Sequence, residues 1–208
     1  MKRQSLFAAS ILHSLVLVTA FSSTALADIT IGGVTFADNA FADVVLDASP
    51  SGSGQFLKEI AGGSQTITLP ADFAILQAAV VGPDVSEWIS LRTSQAHLTV
   101  GFTDLIPING PGADIAIVEI GVTAAVAVTI EGVTQQMHSQ AVGSVNMIFI
   151  DLSDFGVAQT SSVTVSSSDI FNDIAAFGVI NGVPEPSSIV LGALGLIGLA
   201  AWGWRRKR

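Results

Sequence analysis

The 208-residue chain predicts an all-β body, an antiparallel β-sandwich or jelly roll, set between two apolar terminal segments. Three observations carry that expectation. Large apolar residues alternate with small polar ones at period two, Gly- and Pro-containing turn signals recur at short intervals, and no repeat of about 20 to 50 residues suggests a solenoid.

At the N-terminus, Lys2 and Arg3 precede an apolar core from Leu6 to Phe21, followed by a small polar stretch and Ala25-Leu26-Ala27. A positive start, a short apolar core and an Ala-x-Ala ending make residues 1–27 a signal-peptide helix, cut by signal peptidase after Ala27. The body then runs over residues 28–183, long enough for one domain with a substantial core.

Within the body the strands follow from alternation. Ile67 and Leu69 stand among threonines, Ile89 and Leu91 follow Trp88, and Leu98, Val100 and Phe102 alternate with Thr99, Gly101 and Thr103. Val126, Val128 and Ile130 alternate with Ala127, Thr129 and Glu131, and Val163 and Val165 with Thr164 and Ser166. Period two places each apolar set on one face of a sheet. Val145 to Ile150 is apolar at five of six positions, as expected of a strand buried on both faces. Phe73 to Val81 does not alternate cleanly and is open to either a strand or a short helix. Turn signals separate these runs: Ser51 to Gly54, Gly62-Gly63, Gly82-Pro83-Asp84, Asn109-Gly110-Pro111-Gly112, Glu131-Gly132 and Asn181-Gly182. The Ser/Thr run from Thr160 to Ser168 reads as the solvent face of an edge strand, or as a glycan acceptor.

After Val183 the chain changes character. Pro184-Glu185-Pro186 leads into Ile189 to Trp204, which carries no charge, and then into Arg205-Arg206-Lys207-Arg208. As a helix, that uncharged stretch reaches about 24 Å, slightly short of a ~30 Å hydrocarbon core. Trp202 and Trp204 suit the interface and the basic side chains snorkel, so residues 184–208 are expected to hold a single transmembrane helix with its basic end in the cytoplasm. Pro184 and Pro186 keep the preceding backbone extended and off that helix.

The Pro-Glu-Pro motif, the apolar span and the basic end resemble a PEP-CTERM sorting signal, the bacterial label processed by exosortase-type membrane peptidases. The resemblance implies a protein exported in a Gram-negative bacterium and held transiently in the inner membrane with its body in the periplasm. It is then cut near Pro184-Glu185-Pro186 and passed to the cell surface or an extracellular polysaccharide matrix.

Composition limits what the body does. It holds 16 acidic and 2 basic side chains, a net charge of −14, which repels phosphate backbones and excludes nucleic acid as a partner. No cysteine is present, so disulfides, thiol catalysis and zinc–thiolate sites are excluded. His97 and His138 lack a second histidine at ligand spacing and read as surface or strand histidines. No nucleophile elbow, His-Glu-x-x-His helix or phosphate-binding loop occurs.

Gly101-Phe102-Thr103-Asp104, Asn109-Gly110-Pro111-Gly112-Ala113-Asp114 and Ile115 to Glu119 resemble a pattern of discoidin-like or galactose-binding-like sandwiches. That resemblance implies glycan binding or a structural calcium, with Asp104, Asp114 and Glu119 as the oxygen donors available. Val118 and Glu131-Gly132-Val133-Thr134 depart from its usual aromatic and aspartate-rich positions, and the three acids are spaced too widely for an EF-hand loop. A role in turn formation is therefore the reading favoured for them. No catalytic residue and no cofactor are expected. The function expected is a non-enzymatic structural or adhesive protein. The alternatives are a carbohydrate-binding module using Trp88, the one tryptophan of the body, and a secreted glycoside hydrolase using paired acids such as Glu119.

Overall fold

The computed structural model describes residues 28–50, 55–60, 63–91, 96–121, 125–167 and 172–184. The signal peptide with Ala25 and Ala27, the remainder of the sorting segment with Glu185 and Pro186, and the basic cluster Arg205, Arg206, Lys207 and Arg208 lie outside the described residues.

Two antiparallel sheets make the body. The five-stranded sheet contains β3 (Val44–Ser49), β7 (His97–Gly101), β10 (Ala125–Ile130), β11 (Val133–His138) and β14 (Ser162–Ser167), in the order β11-β10-β14-β7-β3. The seven-stranded sheet contains β4 (Gln55–Ile60), β5 (Gly63–Thr68), β6 (Glu87–Leu91), β9 (Ile115–Glu119), β12 (Gln140–Val142), β13 (Val145–Ile150) and β15 (Asn172–Val179), in the order β12-β13-β9-β15-β6-β4-β5. Two small ribbons complete the fold, β1 (Ile29–Ile31) with β2 (Val34–Phe36), and β8 (Leu105–Pro107) with β16 (Gly182–Pro184). The expected all-β antiparallel class is the class observed.

The alternation in the sequence becomes the alternation of burial. Leu98, Val100, Val126, Val128, Val163 and Val165 are fully buried, while their neighbours Thr99, Ala127, Thr129 and Thr164 are half-exposed. Each sheet pair in register shares a face, so these valines form one inner surface of the core. Opposite them lie Ile115, Ile117, Ile148, Ile150, Phe177 and Ile89 from the larger sheet, within the same hydrophobic cluster.

The central strands of the larger sheet are covered on both faces. Every residue of β9 is buried, and β15 is buried from Ile174 to Val179. In β13, Asn146, Met147 and Ile148 are buried in succession, as expected of a strand covered on both faces. The second face includes the small residues Ala116, Ala176 and Gly178, and at Gly178 another segment lies close over it. At Gly178 an added Cβ would sit 2.5 Å from the Phe36 ring, which itself packs on Phe41 at 5.3 Å between centroids. The segment Ala40–Ala42 bonds to the end of β15 through Ala42 N–H to Phe177 O (2.9 Å) and Val179 N–H to Ala40 O (2.6 Å).

Of the two readings open for Phe73 to Val81, the helix is the one observed: α1 (Phe73–Val80) buries Leu76, Ala79 and Val80 and packs against β5, β6 and β15. Glu131-Gly132 forms a two-residue hairpin turn with φ of +48° and +81°, joining β10 to β11. Two successive positive φ values match the right-handed twist of the flanking strands, and glycine at the second position carries no Cβ penalty. The Ser/Thr run falls on β14, the middle strand of the five-stranded sheet rather than an edge. Ser162, Thr164 and Ser166 are half-exposed on its outer side, whereas Thr160 and Ser167 are buried.

Candidate functional site: the junction of body and sorting segment

Chemistry-bearing residues gather where the chain leaves the body. β15 ends at Val179, and the next residues are held at once: Ile180 and Asn181 donate their N–H groups to Asp114 O at 2.7 and 3.2 Å, and Ile108 donates to Asn181 O at 2.9 Å. The Asn181 side-chain amide donates to Ala113 O (3.1 Å) and to Asp114 Oδ1 (2.9 Å). Gly110 lies so close to Asn181 that an added Cβ would meet its amide group at 2.8 Å.

Asp114 is the hub of this junction. It is fully buried, and besides Asn181 its carboxylate accepts the Gly110 N–H at Oδ1 and the Leu152 N–H at Oδ2, both at 2.8 Å. The Asn-Gly-Pro-Gly-Ala-Asp turn, the start of the 3₁₀ helix Leu152–Phe155 and the end of β15 are thereby tied to one side chain. Turn formation, the favoured expectation for Asp114, is its observed role.

Beyond Asn181 the chain continues as β16 and pairs with β8, with Gly182 opposite Pro107, Val183 opposite Ile106 and Pro184 opposite Leu105. Leu105 and Val179 crowd Gly182, since a Cβ there would lie 2.7 and 2.8 Å from them. The first proline of the Pro-Glu-Pro segment is therefore a strand residue of the body. Proline suits that place because its strand belongs to a two-stranded ribbon, where only one side of the backbone is paired.

A protein-family model described as the PEP-CTERM protein-sorting motif matches residues 182–207. The chain carries a PEP-CTERM sorting motif. The match opens at Gly182, so the motif and the body share Gly182, Val183 and Pro184. The PEP-CTERM motif implies recognition by an exosortase, and with it an exported protein anchored transiently at the membrane. No curated protein and no solved structure matches the chain, and no discoidin-like relationship is shown. Among the described residues, no helix is long and apolar enough to cross a membrane; the apolar stretch of the PEP-CTERM motif lies outside them.

The other residues singled out by sequence do not converge on this junction. Asp104 follows β7, and its N–H and that of Thr103 both donate to Asp43 Oδ2, at 3.1 and 2.7 Å. Glu119 closes β9, about 16 Å along the strand from Asp114, too far for the two to share one cation. It is fully buried and accepts from Asn172 Nδ2 at 3.3 Å. Asn172 also donates to Ala125 O (3.1 Å) and accepts from Ser167 Oγ (2.8 Å), so this polar group joins the two sheets across the core. Among the described residues, no three His, Asp or Glu side chains gather as a metal site.

Trp88 lies half-buried in β6 and packs against the core rather than standing out as a platform. His97 and His138 are strand residues; His97 Nε2 lies 3.1 Å from Asp47 Oδ2. Lys58, one of the two basic residues of the body, pairs with Glu87 at 2.5 Å across β4 and β6.

Sequence reasoning missed Asn181 and Asp43 as structural partners. The available signal was weak: both are short polar residues beside turns or strand ends, where such side chains cap backbone groups.

Proposed function

We propose that the body is a non-enzymatic structural or adhesive component of the cell surface or extracellular matrix, carried there by the PEP-CTERM motif. One observation carries this reading: the motif begins inside the folded body, so the segment handed to the peptidase is anchored on a rigid domain that itself becomes the delivered cargo. The acidic surface, a net of −14 over residues 28–183, keeps that cargo soluble after release. Deleting the gene for the cognate peptidase should leave the body at the inner membrane, and deleting this protein should alter the matrix without removing any hydrolytic activity. Substrate turnover lost on Glu119→Gln would overturn the non-enzymatic reading.

A carbohydrate-binding reading is favoured by one observation. The outer face of the five-stranded sheet carries a row of Asp47, Thr99, Thr164, Thr129 and Thr134, one residue from each strand in register. Thr99 and Thr164 hydroxyls meet at 2.8 Å, and those of Thr129 and Thr134 at 2.7 Å. The next row, Ser49, His97, Ser166, Ala127 and Gln136, is also small or polar. Such a face suits a neutral, hydroxyl-rich polymer. Co-sedimentation with an insoluble neutral polysaccharide, abolished by Thr164→Lys, would support it, and binding unaffected by that change would count against it.

A further inference from the structure

The two sheets have four edges, and the chain treats them unequally. β3 is irregular, with a register shift between Val45 and Asp47, and it carries the exposed charge of Asp47. β12 is three residues long and is covered by the β1–β2 turn, where a Cβ on Gly143 would lie 2.8 Å from Gly32 O. Bulges, charges, shortness and cover are the devices by which β-proteins stop their edges pairing with other chains. Among the described residues β5 and β11 have no bulge and no charge, and their cover is partial: Asp72 holds both outward backbone groups of Thr68 at one end of β5, and the 3₁₀ helix meets β11 where Gln135 Nε2 donates to Asp154 O.

β5 reads Gly-Ser-Gln-Thr-Ile-Thr, is in unbroken register with β4, and is exposed at every position except Ile67. β11 reads Val-Thr-Gln-Gln-Met-His, is in unbroken register with β10, and is likewise six residues long without Asp, Glu, Lys, Arg or Pro. Their outward groups can be assigned. The Thr68 N–H bonds to Asp72 Oδ2 (2.9 Å), so it faces away from β4, and period two turns the Thr66 and Ser64 amides the same way. On β11, the two-residue turn closes on the bonded pair Ile130–Val133, which turns the Thr134 and Gln136 amides away from β10.

The open edges also lie on opposite flanks. Ser139 alone separates β11 from β12, so these strands share one side of the sandwich, whereas β5 ends the larger sheet at the far end from β12. We infer that copies of this chain associate head to tail, the β5 edge of one pairing with the β11 edge of the next. Both partners of the joint are supplied by the same chain, at equal length, and neither brings a charge against the other. The joint is heterologous, so it does not close on itself and builds open-ended chains. Repulsion between bodies of net charge −14 opposes the joint and is screened by salt, so association strengthens as ionic strength rises. This deepens the structural-component reading, and its test is independent of export.

The experiment is sedimentation velocity on the full chain in a nonionic detergent, over a wide concentration range and at low and high salt. The variants are Thr66→Pro and Gln136→Pro, each removing one outward N–H while leaving the existing ladder intact. Wild type is expected to form concentration-dependent chains, each variant alone to be monomeric, and an equimolar mixture of the two to give dimers, because each retains the edge the other lacks. Thr66→Lys and Gln136→Lys repeat the test by charge, and circular dichroism confirms that each variant is folded. Monomeric wild type at every concentration, or association that persists in both single variants, would overturn the inference. Dimerisation of Gln136→Pro alone would assign β5–β5 pairing and overturn the head-to-tail joint. Either result leaves the PEP-CTERM reading untouched.

Discussion

Replacing Asp114 with alanine removes one acceptor side chain and strands three donors. The Leu152 N–H is buried, and leaving a buried donor unsatisfied costs about 1–3 kcal/mol. The Gly110 N–H and the Asn181 amide are only partly buried, so water replaces part of what they lose, at about 1 kcal/mol each. The total is about 4 kcal/mol. For a domain of this size each kcal/mol moves the melting temperature by about 2–4 °C, so Asp114→Ala should melt about 8–16 °C below wild type by circular dichroism. Asp114→Asn keeps one carbonyl acceptor and should lose less. Because Asn181 is the link to β16, amide exchange at Val183 should quicken in both variants even where the body stays folded. A melting temperature within about 2 °C of wild type for the alanine variant would refute the assignment of Asp114 as the hub of the junction.

Gly178→Ala should destabilise the body by about 1–3 kcal/mol, because the new methyl would enter the Phe36 ring; chemical denaturation measures it, and an unchanged midpoint would contradict that packing. The Ser153 side chain and backbone N–H both bond to Asp151 and hold its carboxyl below the ordinary aspartate range. The folded state thus binds that proton less readily than the unfolded one, so the contribution is present above the ordinary range and is lost as the pH falls through and below it. Asp151→Ala should accordingly melt lower than wild type near neutrality, with the gap closing in acid, and a gap constant with pH would count against it. A chelator should leave the melting temperature unchanged, because Asp114 is committed to N–H donors and Asp104 and Glu119 lie on other elements; a fall on chelation would restore calcium as a ligand.

The strands whose inner faces are valine and leucine were legible because period two survives in the sequence wherever one face of a sheet meets water. Leu98, Val100, Val163 and Val165 are the clearest cases. The helix at Phe73 was legible only as one of two readings, since its alanines and leucine do not alternate cleanly. The Ser/Thr pattern of β14 predicts an edge strand, yet the strand is central. Polar outer residues report only that one face is wet; which strands lie on either side is a non-local property.

The same limit applies to the junction. The turn chemistry of Asn109 to Asp114 was readable, but its partner Asn181 lies 67 residues beyond Asp114, and nothing local announces the contact. The backbone before Pro184 is expected to be extended, and Val183 lies in β16. The pairing of Pro184 with Leu105 depends on β15 ending beside that turn, which only the assembled sheets determine.

The central claim is that the PEP-CTERM motif delivers the folded body and is itself cut away. Peptide mapping of the C-terminus, on surface-localised protein from cells with and without the cognate exosortase, tests it most directly. The account predicts that Trp202 to Arg208 are missing from surface material and retained at the inner membrane when the peptidase is absent. Surface protein that still ends in Arg205-Arg206-Lys207-Arg208 would contradict it.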